Sequence, residues 1–288
     1  MSRVKLPPAL IISLLLVCQA VFAEETNTQT VQPPLPEAKP KWEFGIGLGG
    51  LSLPDYRGSD QRAEYYAPLP YVRFRGDRLK VDREGGRYYF HNHPLYKVDL
   101  SAAFSFPVDS DDNIAREGMP DLDALLEVGP RFQWFIYESD DQRLRFRFGA
   151  PVRVAINLSN AENEGWFFAP YFQVRYFSTM ETAFSIGPMW ASEKYHDYFY
   201  QVDPQFATAE RPAYNAQSGY SGFRFTLTNS HRLSKHYWWG GFLRYDTLSS
   251  AIFEDSPLVK QDDAFMMGLV ISYIFNPVKE YYQEPAFD

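Results

Sequence analysis

From Trp42 onward apolar residues return at every second position, and this period restricts the fold more than any other feature of the chain. In Arg143 to Asn157, Leu144, Phe146, Phe148, Ala150, Val152, Val154 and Ile156 alternate with Arg143, Arg145, Arg147, Gly149, Arg153 and Asn157. A helix would scatter these arginines around its axis, whereas a strand collects them on one face. Lys97 to Phe106 and Ala124 to Tyr137 repeat the pattern, and Phe223, Phe225 and Leu227 oppose Arg224, Thr226 and Thr228. Such segments run for about 9–15 residues, against about 5–6 for strands of soluble proteins. A strand tilted across a bilayer needs about 9–11.

The spacing predicts strands near 42–50, 65–74, 78–82, 87–91, 96–106, 124–137, 143–157, 166–178, 182–192, 222–234, 236–248 and 265–275. Connections between them alternate between long and short. Outer-membrane barrels show this asymmetry, with long outer loops, short periplasmic turns and an even strand count. The fold class is therefore all-β: an antiparallel transmembrane β-barrel of the outer-membrane type, with about 12 strands, or about 10 if 78–82 and 87–91 do not span. The barrel also explains why a chain with 17% aromatic residues has a mean hydropathy of −0.36. Its rings alternate with polar lumen residues, and Tyr65, Tyr66, Tyr88, Tyr89, Trp134, Tyr137, Trp166, Trp190, Tyr237, Trp238 and Trp239 fall at strand ends, where headgroup girdles form. A formal net charge of −8 argues against a nucleic-acid partner.

Arg3 and Lys5, the apolar run from Leu10 to Val17, and Val21-Phe22-Ala23 form the three regions of a secretory signal, with cleavage after Ala23. A buried N-terminal helix and a lipoprotein anchored at Cys18 are the alternatives. Removing residues 1–23 takes away the single cysteine, which excludes disulfides, a thiol nucleophile and Cys/His zinc sites from the mature chain. Residues 24–40 carry Pro33, Pro34, Pro36 and Pro40 and read as an extended periplasmic linker. The barrel then occupies 41–275. Its last strand, Gly268 to Phe275, alternates and ends on Phe, and 276–288 form a C-terminal periplasmic extension.

Several motifs occur in a fixed order: Phe44-Gly-Ile-Gly-Leu-Gly49, Pro54-Asp-Tyr-Arg-Gly-Ser-Asp60, Pro68-Leu-Pro-Tyr71, Tyr220-Ser-Gly222, Ser230-His-Arg-Leu-Ser234 and Asp255-Ser-Pro-Leu-Val259. Together they resemble the MipA/OmpV family of outer-membrane proteins from about residue 42 to 275. The resemblance implies localisation in the outer membrane of a Gram-negative bacterium, in contact with its lipid. It also implies a scaffold, since the name-giving member connects a lytic transglycosylase to a bifunctional murein synthase. Other members are porin-like or adhesin-like. The family supplies no catalytic residues and no cofactor to carry over.

Alternation places Lys97, Arg131, Arg143, Arg145, Arg147, Arg153, Arg175, Arg224 and Arg244 in the lumen, with Glu127, Glu43, Asp99 and Asp246. They read either as a selectivity lining for small anionic solutes or as an ion-pair network filling a narrow barrel. Asp55, Tyr56, Arg57, Ser59 and Asp60 lie in the first outer loop, and Asp255 and Ser256 in the last. They read as a rim binding site or as turn chemistry around Gly58 and Pro257. His91 and His93 share a strand face at a spacing able to chelate a metal, but Pro94 follows at once and favours a turn. His231 and Ser234 fall on opposite strand faces, so they do not pair as base and nucleophile. The expectation is a non-catalytic barrel without metal or cofactor, acting as a scaffold for a periplasmic murein hydrolase or synthase. The alternatives are a small-solute channel, an adhesin and a barrel lipid hydrolase.

Overall fold

The computed structural model describes residues 42–277 apart from 77–78 and 83–84. The signal sequence, the proline-rich linker and residues 278–288 of the C-terminal extension lie outside the described residues. Thirteen strands follow in chain order: β1 (Trp42–Pro54), β2 (Arg62–Arg75), β3 (Leu79–Asp82), β4 (Gly85–Asn92), β5 (Tyr96–Ser105), β6 (Leu125–Glu138) and β7 (Leu144–Asn157), then β8 (Asn163–Phe168), β9 (Tyr171–Phe177), β10 (Glu181–Ala191), β11 (Gly219–Arg232), β12 (Tyr237–Thr247) and β13 (Asp263–Ile274). All pairings are antiparallel, and every strand pairs with its neighbours in sequence except β8 and β9, which do not pair with each other. β13 returns to β1 in the register Gly45↔Ile274 to Ser52↔Met267, which closes the ring. Asn276 fastens this seam: its side chain accepts from Phe44 N at 2.7 Å and donates to Trp42 O at 3.0 Å.

β8 and β9 occupy one place in the wall, because both pair with β7 on one side and β10 on the other. The wall thus has twelve positions. The break falls at Ala169-Pro170, where proline cannot donate to a ladder. Gly187 of β10 lies against it. A Cβ built there would stand 1.9 Å from Pro170 O.

The burial pattern inverts that of a soluble protein. On β1, Trp42, Phe44, Ile46 and Leu48 are exposed, as are Phe265, Met267, Leu269, Ile271 and Tyr273 on β13. The alternate, inward positions hold Glu43, Asp99, Gln133, Asp246 and Ser272, all buried. An apolar outer belt around a polar interior is the surface that a lipid bilayer selects.

The strands differ from the sequence expectation in three places, the first being that the single strand expected at 166–178 is two, β8 and β9. The first loop spans only 55–61, because β1 runs to Pro54 and β2 starts at Arg62, a continuous ladder to Pro54↔Arg62. The expected strands 78–82 and 87–91 form a short hairpin, β3 and β4, in which Gly85 and Gly86 already belong to the ladder, opposite Asp82 and Val81. Among the described residues, β2 pairs with β3 only through Phe74 and Arg75.

The turns at 93–95, 139–143, 178–180 and 233–236 lie with both ends of the barrel on one rim, and the five-residue connection 158–162 lies on the opposite one. The longer loops, 55–61, 106–124, 192–218 and 248–262, lie on that opposite rim as well. The third carries a helix, α1 (Glu193–Tyr200).

Replacing Gly187 with valine drives a branched side chain into the Pro170 carbonyl. Overpacking of this kind costs about 1–3 kcal/mol. The variant is expected to refold less completely than wild type, measured as the heat-modifiable electrophoretic fraction.

Candidate functional site

The long loops are packed against one another, and their contacts are specific. Tyr56, Val108, Leu122, Tyr200, Val202, Leu248, Phe253 and Leu258 form one buried cluster drawn from all four loops. Tyr200 and Phe253 stack with centroids 3.7 Å apart and planes 7° apart. The first and last loops meet: Tyr56 OH donates to Leu258 O at 2.8 Å, and the backbone amides of Lys260 and Gln261 donate to Gly58 O. Ser256 Oγ donates to Tyr200 O at 2.7 Å. Asn113 donates to Asp55 Oδ2 at 2.8 Å and to Ser59 Oγ at 3.2 Å. Arg211 donates to three carbonyls, those of Ala115, Glu117 and Phe206. Loops satisfied in this way form a cap rather than loose connections.

The rim residues expected from the sequence are therefore brought together, within this cap, except that Asp60 and Asp255 stay exposed. Asp55 is turned to Asn113, and burial raises its carboxyl above the usual range. Burial also pushes the Tyr200 phenol up to about 12. Arg57 donates through Nη1 to Ser221 O and through Nη2 to Ser221 Oγ, both at 2.8 Å. Ser221 Oγ also lies 3.0 Å from His196 Nε2, and His196 Nδ1 lies 2.6 Å from Gln217 O. A carbonyl can only accept, so Nδ1 carries the hydrogen and Nε2 accepts from the serine. Fully buried and near Arg57, His196 has its pKa pushed down to about 4, chiefly by desolvation.

α1 aims the cap at the lumen. Ser192 caps it, accepting from Tyr195 N at 3.3 Å. Gly165 leaves room for that serine, since a Cβ there would stand 2.2 Å from Ser192 Oγ. From the first turn Tyr195 reaches down and donates to Glu127 Oε1 at 2.8 Å. Tyr195, His196 and Tyr200 were not among the residues singled out by sequence. Their signal is Ser192 followed by Tyr195, Tyr198 and Phe199, a capped helical face inside a long loop.

Below the cap the lumen charges are mostly matched. Asp99 and Arg131 face each other in register and bond twice, at 2.9 and 2.6 Å. Gln133 joins Asp99 to Arg147 at 2.9 and 2.8 Å. Arg224 and Asp246, again opposed in register, bond at 2.8 and 2.6 Å. Arg153 meets Glu127 at 3.7 Å, Arg232 meets Glu43 at 3.3 Å, Arg175 meets Glu181 at 3.0 Å and Arg145 meets Glu138 at 3.1 Å. Lys97 sits 5.4 Å from the rings of Tyr89 and Phe135. Arg143 lies on an exposed turn beside Asp141, at 3.9 Å. Arg244 differs from the others: its guanidinium lies against the Met266 sulfur at 4.0 Å and the Phe242 ring at 5.7 Å.

Between the cap and this network lies a cavity of about 430 Å³, lined by Arg57, Glu127, Arg153, Tyr195, Arg224 and Arg244 together with apolar side chains. It is of ligand-binding size. Among the described residues no group of three or more His, Asp or Glu is placed to hold a metal. His91 and His93 instead stack on Tyr96, at 5.2 and 4.7 Å.

No curated protein sequence matches the chain. Among solved structures, an outer membrane channel from Pseudomonas putida F1 is similar at 12% identity and a TM-score of 0.42, over 85% of this chain and 100% of that one. The NanC porin is similar at 9% identity and a TM-score of 0.35, over 82% and 99%. The family model described as MltA-interacting protein MipA matches residues 46–275, from β1 to the residue after β13. The chain is an outer-membrane barrel protein and belongs to the MltA-interacting protein MipA family.

Proposed function

We propose that this barrel is a non-catalytic membrane anchor that holds a periplasmic murein-remodelling enzyme at the outer membrane. The carrying observation is the packed cap. It covers the long-loop mouth and leaves the opposite rim, with its short turns and both ends of the described barrel, as the place for a partner. The family description, which names an MltA interaction, supports a murein hydrolase as that partner. In this reading residues 1–23 are a cleaved export signal, and 24–40 and 276–288 face the periplasm beside the short turns. A second reading, a small-solute channel, is favoured by the arginine-lined cavity.

Two measurements separate them. Cross-linking and capture from envelopes is expected to recover a murein hydrolase or synthase with the full chain, and less of it when 24–40 or 276–288 are deleted. Recovery of none by wild type overturns the anchor. In planar bilayers the folded barrel is expected to be silent at pH 7, and steady solute conductance establishes the channel instead.

The cap also carries a pH dependence. His196 titrates at about 4 when folded, against 6.5 for an ordinary histidine. The unfolded loop therefore binds a proton first as pH falls. The contribution of neutral His196 is complete above pH 6.5 and is lost progressively down to about pH 4. Within that window each step of one in pH removes at most ~1.4 kcal/mol. Amide hydrogen exchange in 192–218 is expected to show less protection at pH 4.5 than at pH 7, after correction for intrinsic rates. His196→Gln flattens that difference.

A further inference from the structure

The wall is incomplete on one side. β2 pairs with β1 along its whole length, from Trp42↔Phe74 to Pro54↔Arg62, but reaches β3 only at Phe74 and Arg75. β5 pairs with β6 from Tyr96 to Ser105, but with β4 only as far as Asp99. Among the described residues no strand pairs with the other edge of Arg62–Pro70 or of Leu100–Ser105. These two edges border a window above the short β3–β4 hairpin. On β5 the open edge covers six residues, about 20 Å at ~3.3 Å each. Tyr65 and Phe106 stack across the gap at 4.4 Å, on the cap side.

The sequence is adapted to an open edge here. Pro68 and Pro70 lie in an unbroken ladder opposite Leu48 and Ile46. A proline cannot donate within that ladder, so each ring nitrogen turns toward the window. Two donors are thereby removed from an edge beside hydrocarbon, where an unmet donor costs several kcal/mol. Proline on an edge also blocks the pairing that would close it.

The window leads to the capped cavity. A cavity inside a complete wall touches every second residue of a strand, yet five consecutive residues, Ala102 to Phe106, line this one. It therefore reaches the lipid-side face of β5, where Ala102 is exposed. Ala169 to Tyr171 and, facing them, Ser185 to Gly187 also line it consecutively, but both stretches lie at the jog, where paired strands flank them on both sides. Inside stands Arg244. The nearby carboxylates Asp246 and Glu127 are engaged by Arg224 and Arg153, and Asp55, also on the wall, is turned to Asn113. The Arg244 Nε is buried without a hydrogen-bond partner. A guanidinium in that state is costly until an anion meets it.

We propose that the cavity binds a single-chain anionic amphiphile of the fatty-acid class, taken from the bilayer through the β2–β5 window. The carboxylate is held at Arg244, and the chain runs past Leu51, Phe104 and Phe106. This goes beyond the anchor reading and does not depend on it, since enzyme capture and amphiphile binding are measured separately.

The test uses the purified full barrel, with folding checked by heat-modifiable mobility, and follows the fluorescence of cis-parinaric acid against its uncharged methyl ester. The acid is expected to bind saturably and the ester at least about tenfold more weakly. Arg244→Met is expected to lose about tenfold or more for the acid alone, and Arg244→Lys to recover part of the loss. Ala102→Trp, which fills the window from the lipid side, is expected to slow uptake from loaded vesicles severalfold. Four results overturn the proposal: no saturable binding by folded wild type, equal binding of acid and ester, no effect of Arg244→Met, or displacement by millimolar acetate, which assigns the site to small carboxylates. Unchanged uptake by Ala102→Trp overturns the lateral route.

Discussion

Backbone groups in hydrocarbon have no water to bond, so each must find a partner inside the protein. The architecture follows from that constraint. It forces the ring to close from β13 onto β1 and fixes every strand as antiparallel to its neighbours. It explains why β8 and β9, separated by a proline, still share one place in the wall: β7 and β10 together supply partners on both sides of the break. Glycine at 187 is part of the same solution, since a side chain there would meet the Pro170 carbonyl that the break turns toward it.

Closing the ring creates a second problem, the filling of its interior. Outward positions must be apolar, so the inward ones inherit the charge. The register then decides which charges meet. Asp99 faces Arg131 and Asp246 faces Arg224 because those residues are opposite one another in their ladders. Two planar guanidinium–carboxylate pairs follow directly from strand pairing. Arg244 has no such fortune. It lies opposite Met266, and the arginines beside it hold the carboxylates within reach. A guanidinium without an ion pair of its own at this depth is a consequence of register, and a cavity beside it is where a bound anion gains most.

The wall was legible in the sequence because the period of two survives in every long strand. Inward arginines on Arg143 to Asn157 could be read without knowing a single neighbour. The hairpin at 79–92 was less legible, since Gly85 and Gly86 open β4 with no side chains to carry the alternation and a short strand resembles a loop edge in any sequence window. The cap was legible only in part. Asp55, Arg57 and Ser59 could be seen to neighbour Ser256 because the first and last loops are adjacent in a closed barrel. Their partners could not: Asn113, His196 and Tyr200 come from loops distant in sequence, and no local period marks them. What joins them is packing, and packing among four loops is a long-range property.

The same reasoning gives Pro68 and Pro70 a meaning that pattern alone withholds. As part of an ordered set of motifs they help to identify a family. As residues of β2 they report a physical fact: this strand has one partner along most of its length, and its other edge is kept from acquiring a second. A closed barrel needs no such protection, whereas a barrel with a lateral opening does. The prolines, the short hairpin and the consecutive exposure of Ala102 to Phe106 to the cavity are three independent features, from β2, β3–β4 and β5. All three place the opening between the same two strands. With the long-loop mouth covered by the cap, that opening gives the cavity a direct route to the bilayer.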